Sequence, residues 1–301
     1  VTAADDERVA VVVVSKDTRD EALGCLTVLP PDEVAEVVLV DAGSRDGTAE
    51  AVRAAHPTVE VVELRDVGFA AAANAGVART SAAVVVVLNA DVRVRPGSLT
   101  TLARRVRLHP HVAAAGPRVR YPDGTPQASA RDVPDTVTAI GHAALGWILP
   151  SNRFTRRYRN LDADPTRSRD VGFLSGCAVA LDRAAFDSVG GFDAGYRLYV
   201  EDLDLGLRLR AAGWRLVYEP AAEVVHRVGA STGQRPWRSR IRHARGMARY
   251  VRRHLPGGPL LAVVLVPGLA VWVVVTGIVS ARRRATHSST GEALVGGEGR
   301  G

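Results

Sequence analysis

The sequence predicts an α/β fold: a Rossmann-like sheet with helices on both faces, followed by an apolar C-terminal helical segment. Three observations carry that expectation. Short Val-rich runs alternate with helix-patterned stretches from residue 9 onward, acidic or amide residues stand at the ends of successive runs, and residues 255–281 contain no charge. Continuous apolar runs of strand length suit strands buried on both faces of a parallel sheet, and their alternation with helices marks an α/β layer.

Taken in order, strands are predicted over residues 9–14, 37–40, 59–64 and 84–88, with helices over 19–28, 48–55, 69–79 and 98–108. The stretch 121–170 changes character. Its five prolines, the turn Pro122-Asp123-Gly124 and the basic patch Arg153, Arg156, Arg157 and Arg159 predict loops, a hairpin and short helices over one side of the sheet. An apolar run over 171–181 is broken at Ser175-Gly176. A helix over 203–212 then repeats leucine at four-residue spacing, and two closing strands follow at 215–218 and 223–226. The organisation expected is a domain over 1–234, a basic helix with an apolar segment over 235–284, and a disordered tail over 285–301.

Composition limits the function classes. The net charge of +7 rests on arginine, Lys16 being the single lysine. Eight arginines and no acid lie in 235–253, and Arg282, Arg283 and Arg284 follow, so the remainder is mildly acidic. Trp237 and Tyr250 are too few aromatics for a nucleic-acid stacking platform, and no nucleic-acid partner is expected. A charge-free stretch beside the arginines has the length of a bilayer core, so a membrane is the better partner. Pro267-Gly268 at its centre and arginines on both flanks leave two arrangements, a span or a re-entrant hairpin. Cys25 and Cys177 lack metal-ligand spacing and fit a reducing compartment. The acidic, polar start lacks a secretory signal pattern, which places the expected location at the cytoplasmic face of the membrane.

The residues that carry chemistry stand at strand ends. Asp17, Asp41 and the Asn89-Ala90-Asp91 segment follow three predicted strands, and open parallel sheets bind ligands at their strands' carboxyl ends. A carboxylate at Asp41 can accept a hydrogen bond from a base N–H or a ribose hydroxyl. The first strand-helix turn lacks the G-x-G-x-x-G fingerprint, which argues against a dehydrogenase. Asn89 and Asp91 point the same way in an extended segment and can share a divalent cation bridging phosphate oxygens. Glu201, Asp202 and Asp204 open the leucine-rich helix behind Tyr196, Tyr199 and a Gly190-Gly191-Phe192-Asp193 turn. His226 ends the last strand and, with Asp91, forms a candidate metal pair.

Together these residues resemble the inverting glycosyltransferase family 2, whose nucleotide-sugar domain has the GT-A fold. The resemblance runs from Val9 to about Ser231. It rests on Val38-Leu39-Val40-Asp41-Ala42-Gly43-Ser44-Arg45-Asp46-Gly47-Thr48, Gly68-Phe69-Ala70-Ala71-Ala72-Ala73-Asn74-Ala75-Gly76, Leu88-Asn89-Ala90-Asp91, Ser175-Gly176-Cys177, Gly190-Gly191-Phe192-Asp193, Leu198-Tyr199-Val200-Glu201-Asp202-Leu203-Asp204 and Val225-His226. It implies donor contacts at Asp17, Asp41, Gly68, Asn74, Asn89 and Asp91, with Mg or Mn at Asp91 and His226. Asp202 becomes the catalytic base, and Ser175, Gly176, Glu201 and Tyr199 lie on the acceptor side.

Within the family, the Leu-Asn-Ala-Asp form, the segment from Pro122 to Arg131 and the Tyr-Val-Glu-Asp-Leu-Asp helix look most like bacterial rhamnosyltransferases of cell-wall and polysaccharide assembly. That implies dTDP-rhamnose as donor and a polyprenyl-diphosphate-linked N-acetylglucosamine as acceptor. Lys16-Asp17 replaces the family's usual aromatic-Asn pair, Ala42 a frequent Asn, and Asn89 an Asp. The alternatives are another nucleotide sugar, or a non-catalytic relative that binds lipid-linked sugar.

Overall fold

The computed structural model describes residues 8–146, 149, 151–230, 236–263, 268 and 273. They fall into two compact units that divide after residue 231. In the first, the order is β1 (Val9–Ser15), α1 (Arg19–Thr27), β2 (Val34–Asp41), α2 (Thr48–Ala55), β3 (Glu60–Glu63), α3 (Phe69–Val77), β4 (Val84–Asn89), β5 (Val92–Val94), α4 (Ser98–Arg107) and β6 (Val112–Arg120). There follow β7 (Ala130–Arg131), α5 (Thr136–Leu145), α6 (Arg153–Tyr158), β8 (Arg169–Asp170), β9 (Phe173–Leu174), β10 (Ala178–Asp182), α7 (Arg183–Ser188), α8 (Glu201–Ala211) and β11 (Arg215–His226). The second unit contains α9 (Pro236–His254), which carries the basic run. Most of the apolar stretch 255–281, and all of the tail 285–301, lie outside the described residues. Among the described residues, no helix is long and apolar enough to cross a membrane.

Nine strands form one sheet in the order β3-β2-β1-β4-β10-β6-β11-β5, with β8 beside β11. β1, β2, β3 and β4 are mutually parallel, as their Val-rich runs predict. The second half is mixed, which the expectation of a parallel sheet did not include. The apolar run 171–181 turns back at Ser175-Gly176, so β10 re-enters the sheet antiparallel to β4 and β6. The two predicted closing strands are one, β11, whose register shifts between Glu219 and Glu223. Pro220 lies in that shift; a bulge accommodates a residue with no N–H to give the ladder.

β1 is buried along its whole length, and its side chains divide between two cores. Val9, Val11 and Val13 pack with Ala22, Cys25 and Leu26 of α1 and Leu99, Leu102 and Val106 of α4. Ala10, Val12 and Val14 pack on the opposite face with Ala70, Ala73 and Val77 of α3 and Leu205 and Leu209 of α8. The two-residue period of a strand produces this division, and it places helices on both faces. α3 lies especially close: a Cβ at Gly76 would stand 2.4 Å from Val12 Cγ1 and 2.8 Å from Val40 Cγ2.

Candidate active site

The parallel strands end together. Ser15 pairs with Asp41, and Val14 with Asn89, so the loops carrying Asp17, Asp41 and Asp91 leave the same edge of the sheet. Asp41 is buried, and its Oδ1 accepts from the Gly43 N–H at 3.0 Å and the Ser44 N–H at 2.6 Å. Those bonds fix the carboxylate at the strand end. Asp17, at φ 51°, serves the same loop: its N–H donates to Ser44 Oγ at 2.9 Å and its Oδ1 accepts from the Arg45 N–H at 2.8 Å. Asp46 completes the stitching by accepting from the Arg19 N–H at 2.9 Å, at the start of α1.

Gly68 and Asn74 hold the loop before α8. Gly68 has φ 88°, and a Cβ there would come within 2.4 Å of the Arg197 carbonyl oxygen, so only glycine fits. The Phe69 N–H donates to that carbonyl at 3.0 Å. Asn74 uses both ends of its amide on one residue, donating to Phe192 O at 2.7 Å and accepting from the Phe192 N–H at 2.9 Å. Its side chain braces α3 against the Gly190-Gly191-Phe192 turn. Asp66 sits between Lys16, at 3.2 Å, and Arg197, at 3.5 Å, tying the first strand's exit to the same loop.

β11 delivers His226 to Asp91. Val92 and His226 are paired across the ladder, and His226 Nε2 lies 3.2 Å from Asp91 Oδ1. Gln127 orients the ring: its Nε2 donates to the His226 carbonyl at 3.1 Å, and its Oε1 faces His226 Nδ1 at 2.9 Å. A carbonyl oxygen only accepts, so Nδ1 carries hydrogen and Nε2 is the atom turned to Asp91. Burial works against a charged ring, but Asp91 and Cys177 together outweigh it and push the pKa of His226 up to about 10. Among the described residues no cluster of three or more His, Cys, Asp or Glu side chains surrounds a metal position. The pair itself, one carboxylate and one imidazole nitrogen fixed through its other nitrogen, fits a divalent cation whose other ligands are phosphate oxygens and water. Asn89 contributes its backbone here, its N–H donating to Cys177 O at 2.9 Å.

Two carboxylates stand at the start of α8. Tyr199 and Val200 precede it at φ 65° and 73°. Two consecutive left-handed residues, one of them β-branched, are a costly backbone that the surrounding packing holds in place. Asp202, half-buried, accepts from the Leu203 N–H at 2.9 Å through Oδ1 and from the Gly176 N–H at 3.3 Å through Oδ2. Ser175 lies beside it, its own N–H donating to Ser129 O at 2.8 Å. Burial pushes the Asp202 pKa up, and the Arg131 guanidinium and the two N–H groups pull against it. Glu201 is only 6% exposed, and its Oε2 has no hydrogen-bond partner among the described residues. Burial, then repulsion from Asp202, pushes its pKa up to about 8. At neutral pH Glu201 keeps its proton. Tyr199 is 40% exposed beside them.

Gln127, Arg131 and Tyr158 were not singled out as site residues by sequence reasoning. They lie in the Pro-rich stretch where no apolar period marks a side chain's direction; Gln127 enters through its hydrogen bonds to His226, Arg131 through the pairing of β7 with β9, and Tyr158 through its contact with Arg131.

The sequence matches glycosyl transferase family 2 over residues 10–190. The chain belongs to that family. A second match, to glycosyl transferase family 21, covers residues 162–287. Among curated relatives, an N-acetylglucosaminyl-diphospho-decaprenol L-rhamnosyltransferase of Mycobacterium tuberculosis is 38% identical over 220 residues, 69% of this chain and 71% of that protein. The rhamnosyltransferase WbbL of Escherichia coli is 45% identical over 56 residues, 19% of this chain and 21% of its own. Among solved structures, a Pyrobaculum calidifontis mannosyltransferase in complex with GDP-Man and Mn²⁺ aligns with TM-score 0.51 and 23% identity, covering 97% of this chain and 81% of that one. GalNAc-T7 with UDP, GalNAc and Mn²⁺ aligns with TM-score 0.54 and 17% identity, covering 73% of this chain and 43% of that one. This family 2 glycosyltransferase therefore has the mixed α/β, GT-A-like architecture that its motifs imply.

Proposed function

We propose that this family 2 enzyme transfers L-rhamnose from dTDP-rhamnose, with inversion, to a hydroxyl of a polyprenyl-diphosphate-linked N-acetylglucosamine at the cytoplasmic face of the membrane. The observation that carries the reading is the 38% identity to the mycobacterial rhamnosyltransferase over 69% of this chain and 71% of that protein. Asp41 receives the donor's base or ribose, fixed by the Gly43 and Ser44 N–H groups. Asp91 and His226 would hold Mg²⁺ or Mn²⁺, which would supply positive charge to the leaving nucleoside diphosphate. Gly68 and Asn74 act one step back, by fixing the loop that leads into α8.

Asp202 is the catalytic base. The acceptor hydroxyl loses its proton to Asp202 as its oxygen attacks the anomeric carbon from the face opposite the diphosphate. The C–O bond to the diphosphate breaks in the same displacement, so the configuration inverts. The Leu203 and Gly176 N–H groups hold the Asp202 oxygens, and the protonated Glu201 leaves the negative charge on its neighbour. Tyr199 and Ser175 line the acceptor's approach. The membrane reading is supported by α9, whose residues 236–253 carry seven arginines and no acid and whose Trp237 and Ile241 are exposed. Cations near an anionic surface contribute about 1 kcal/mol each.

Purified protein is melted against a panel of nucleoside diphosphate sugars with and without Mg²⁺ or Mn²⁺, and transfer is measured with D202N and D91A. The reading expects stabilisation by dTDP-rhamnose only with metal, its loss in D91A, and no transfer by D202N with donor binding intact. Full transfer by D202N removes Asp202 from the mechanism, and stabilisation by a different nucleotide sugar replaces the donor.

A further inference from the structure

We propose that Arg131 is the positioning residue of this active site: a guanidinium seated over two adjacent aromatic rings that keeps Asp202 ionised for proton abstraction. The inference rests on the assignment of Asp202 as base and goes beyond it by naming what sets the base's charge. Arg131 lies on β7, directly opposite Phe173 on β9. Its guanidinium carbon is 5.8 Å from the Phe173 ring centroid and 5.7 Å from that of Tyr158, and those rings are 6.0 Å apart. Nε donates to Ala128 O at 2.8 Å, and a terminal nitrogen reaches Tyr158 Oη at 3.5 Å. A planar cation held on aromatic faces and by a carbonyl has little freedom to swing away.

The strand opposite continues from Leu174 into Ser175 and Gly176, and the Gly176 N–H is the group that reaches Asp202 Oδ2. The same two-stranded ribbon therefore carries the cation on one strand and the carboxylate's hydrogen-bond donor at the end of the other. The electrostatics agree in both directions: Arg131 favours the ionised Asp202, and Asp202 and Tyr158 favour the charged Arg131 against its burial. The other titratable groups facing this pair are Glu201 from α8, Tyr158 from α6, Cys177 after the Gly176 turn, and His142 from α5. Burial, Arg159 and Arg131 hold His142 below its ordinary value. Arg131 is the cation acting on Asp202, and the adjoining carboxyl, Glu201, opposes ionisation.

A base works only when deprotonated, so kcat rises with pH through the Asp202 pKa. An opposite charge nearby lowers a carboxyl pKa by about 1–3 units, so R131M is expected to move the acid limb of kcat up by at least about one unit. On the acid side of that limb transfer then falls by about tenfold, while transfer well above it is unchanged. The full chain is assayed as wild type, R131M, R131K and D202N, with donor-induced melting shifts as the folding control. R131K retains the charge without the flat stack and moves the limb less than R131M does. Should R131M fail to show the donor-induced shift, R131Q, which keeps polar contacts without charge, carries the same comparison. An unmoved limb in a folded, donor-binding R131M or R131Q overturns the proposal, as does an equal loss at every pH. Activity retained by D202N instead overturns the assignment of the base itself, so the two failures are distinct.

Discussion

Replacing Asn74 with alanine separates a brace from a donor contact. The amide makes two hydrogen bonds, both to the backbone of Phe192, a residue that is itself buried. Alanine removes both partners at once and leaves a backbone N–H and a carbonyl desolvated and unmatched. Each such orphan costs about 1–3 kcal/mol, so N74A is expected to lose about 2–6 kcal/mol of stability. For a unit of this size the change corresponds to a fall of about 4–24 °C in Tm. The assay is urea unfolding followed by tryptophan fluorescence, run beside nucleotide titration of the folded variant at low temperature. A brace lowers the unfolding midpoint and leaves nucleotide affinity within about twofold, less than 0.5 kcal/mol of binding energy. A stability loss under about 1 kcal/mol together with a tenfold weaker nucleotide affinity would refute the reasoning and return Asn74 to the donor site.

Gly76→Ala puts a methyl against Val12 and Val40 between α3 and the sheet; overpacking of this kind costs about 1–3 kcal/mol, read as a lower denaturation midpoint. Glu201 has a folded pKa of about 8 against roughly 4.3 unfolded, so its ionisation favours the unfolded chain as pH rises between those values. E201Q, which mimics the neutral acid, should lose less stability than wild type between pH 5 and pH 8, and identical pH profiles would contradict the buried-proton assignment. His226 holds its proton up to about pH 10 in the metal-free protein, so binding of a divalent cation there releases one. Cation affinity measured by calorimetry should therefore rise with pH between 6 and 9, and in H226A the proton release should vanish.

β1 and β4 of the parallel half were legible because they are doubly buried and so read as valine-rich runs. The polar strand ends at Asp41 and Asn89-Ala90-Asp91 could be picked out against that background. β6 was not legible: Ala113, Ala114 and Ala115 carry weak strand preference, and Pro117 reads as a break. β5 is three residues long and vanishes among turn residues. The direction of β10 follows from a turn at Ser175-Gly176 that periodicity marks only as an interruption. In the site, spacing placed Asp202 and Glu201 at a helix start and His226 at a strand end. It gave no sign that Asp17 would spend its carboxylate on the Arg45 N–H, or that the amide of Asn74 would be consumed by Phe192. Those roles depend on partners 28 and 118 residues away.

The cross-stitching of Asp17, Ser44, Arg45, Asp46 and Arg19 has a kinetic consequence. Each of the two loops supplies acceptors for the other's N–H groups, so neither can open its amides to water while the other stays closed. The amide protons of Asp17, Arg19 and Arg45 should therefore exchange with deuterium at one common rate, as a single cooperative opening. A nucleotide seated on Asp41 from the second loop would slow that shared opening, and protection would extend to the first loop, which the base itself need never touch.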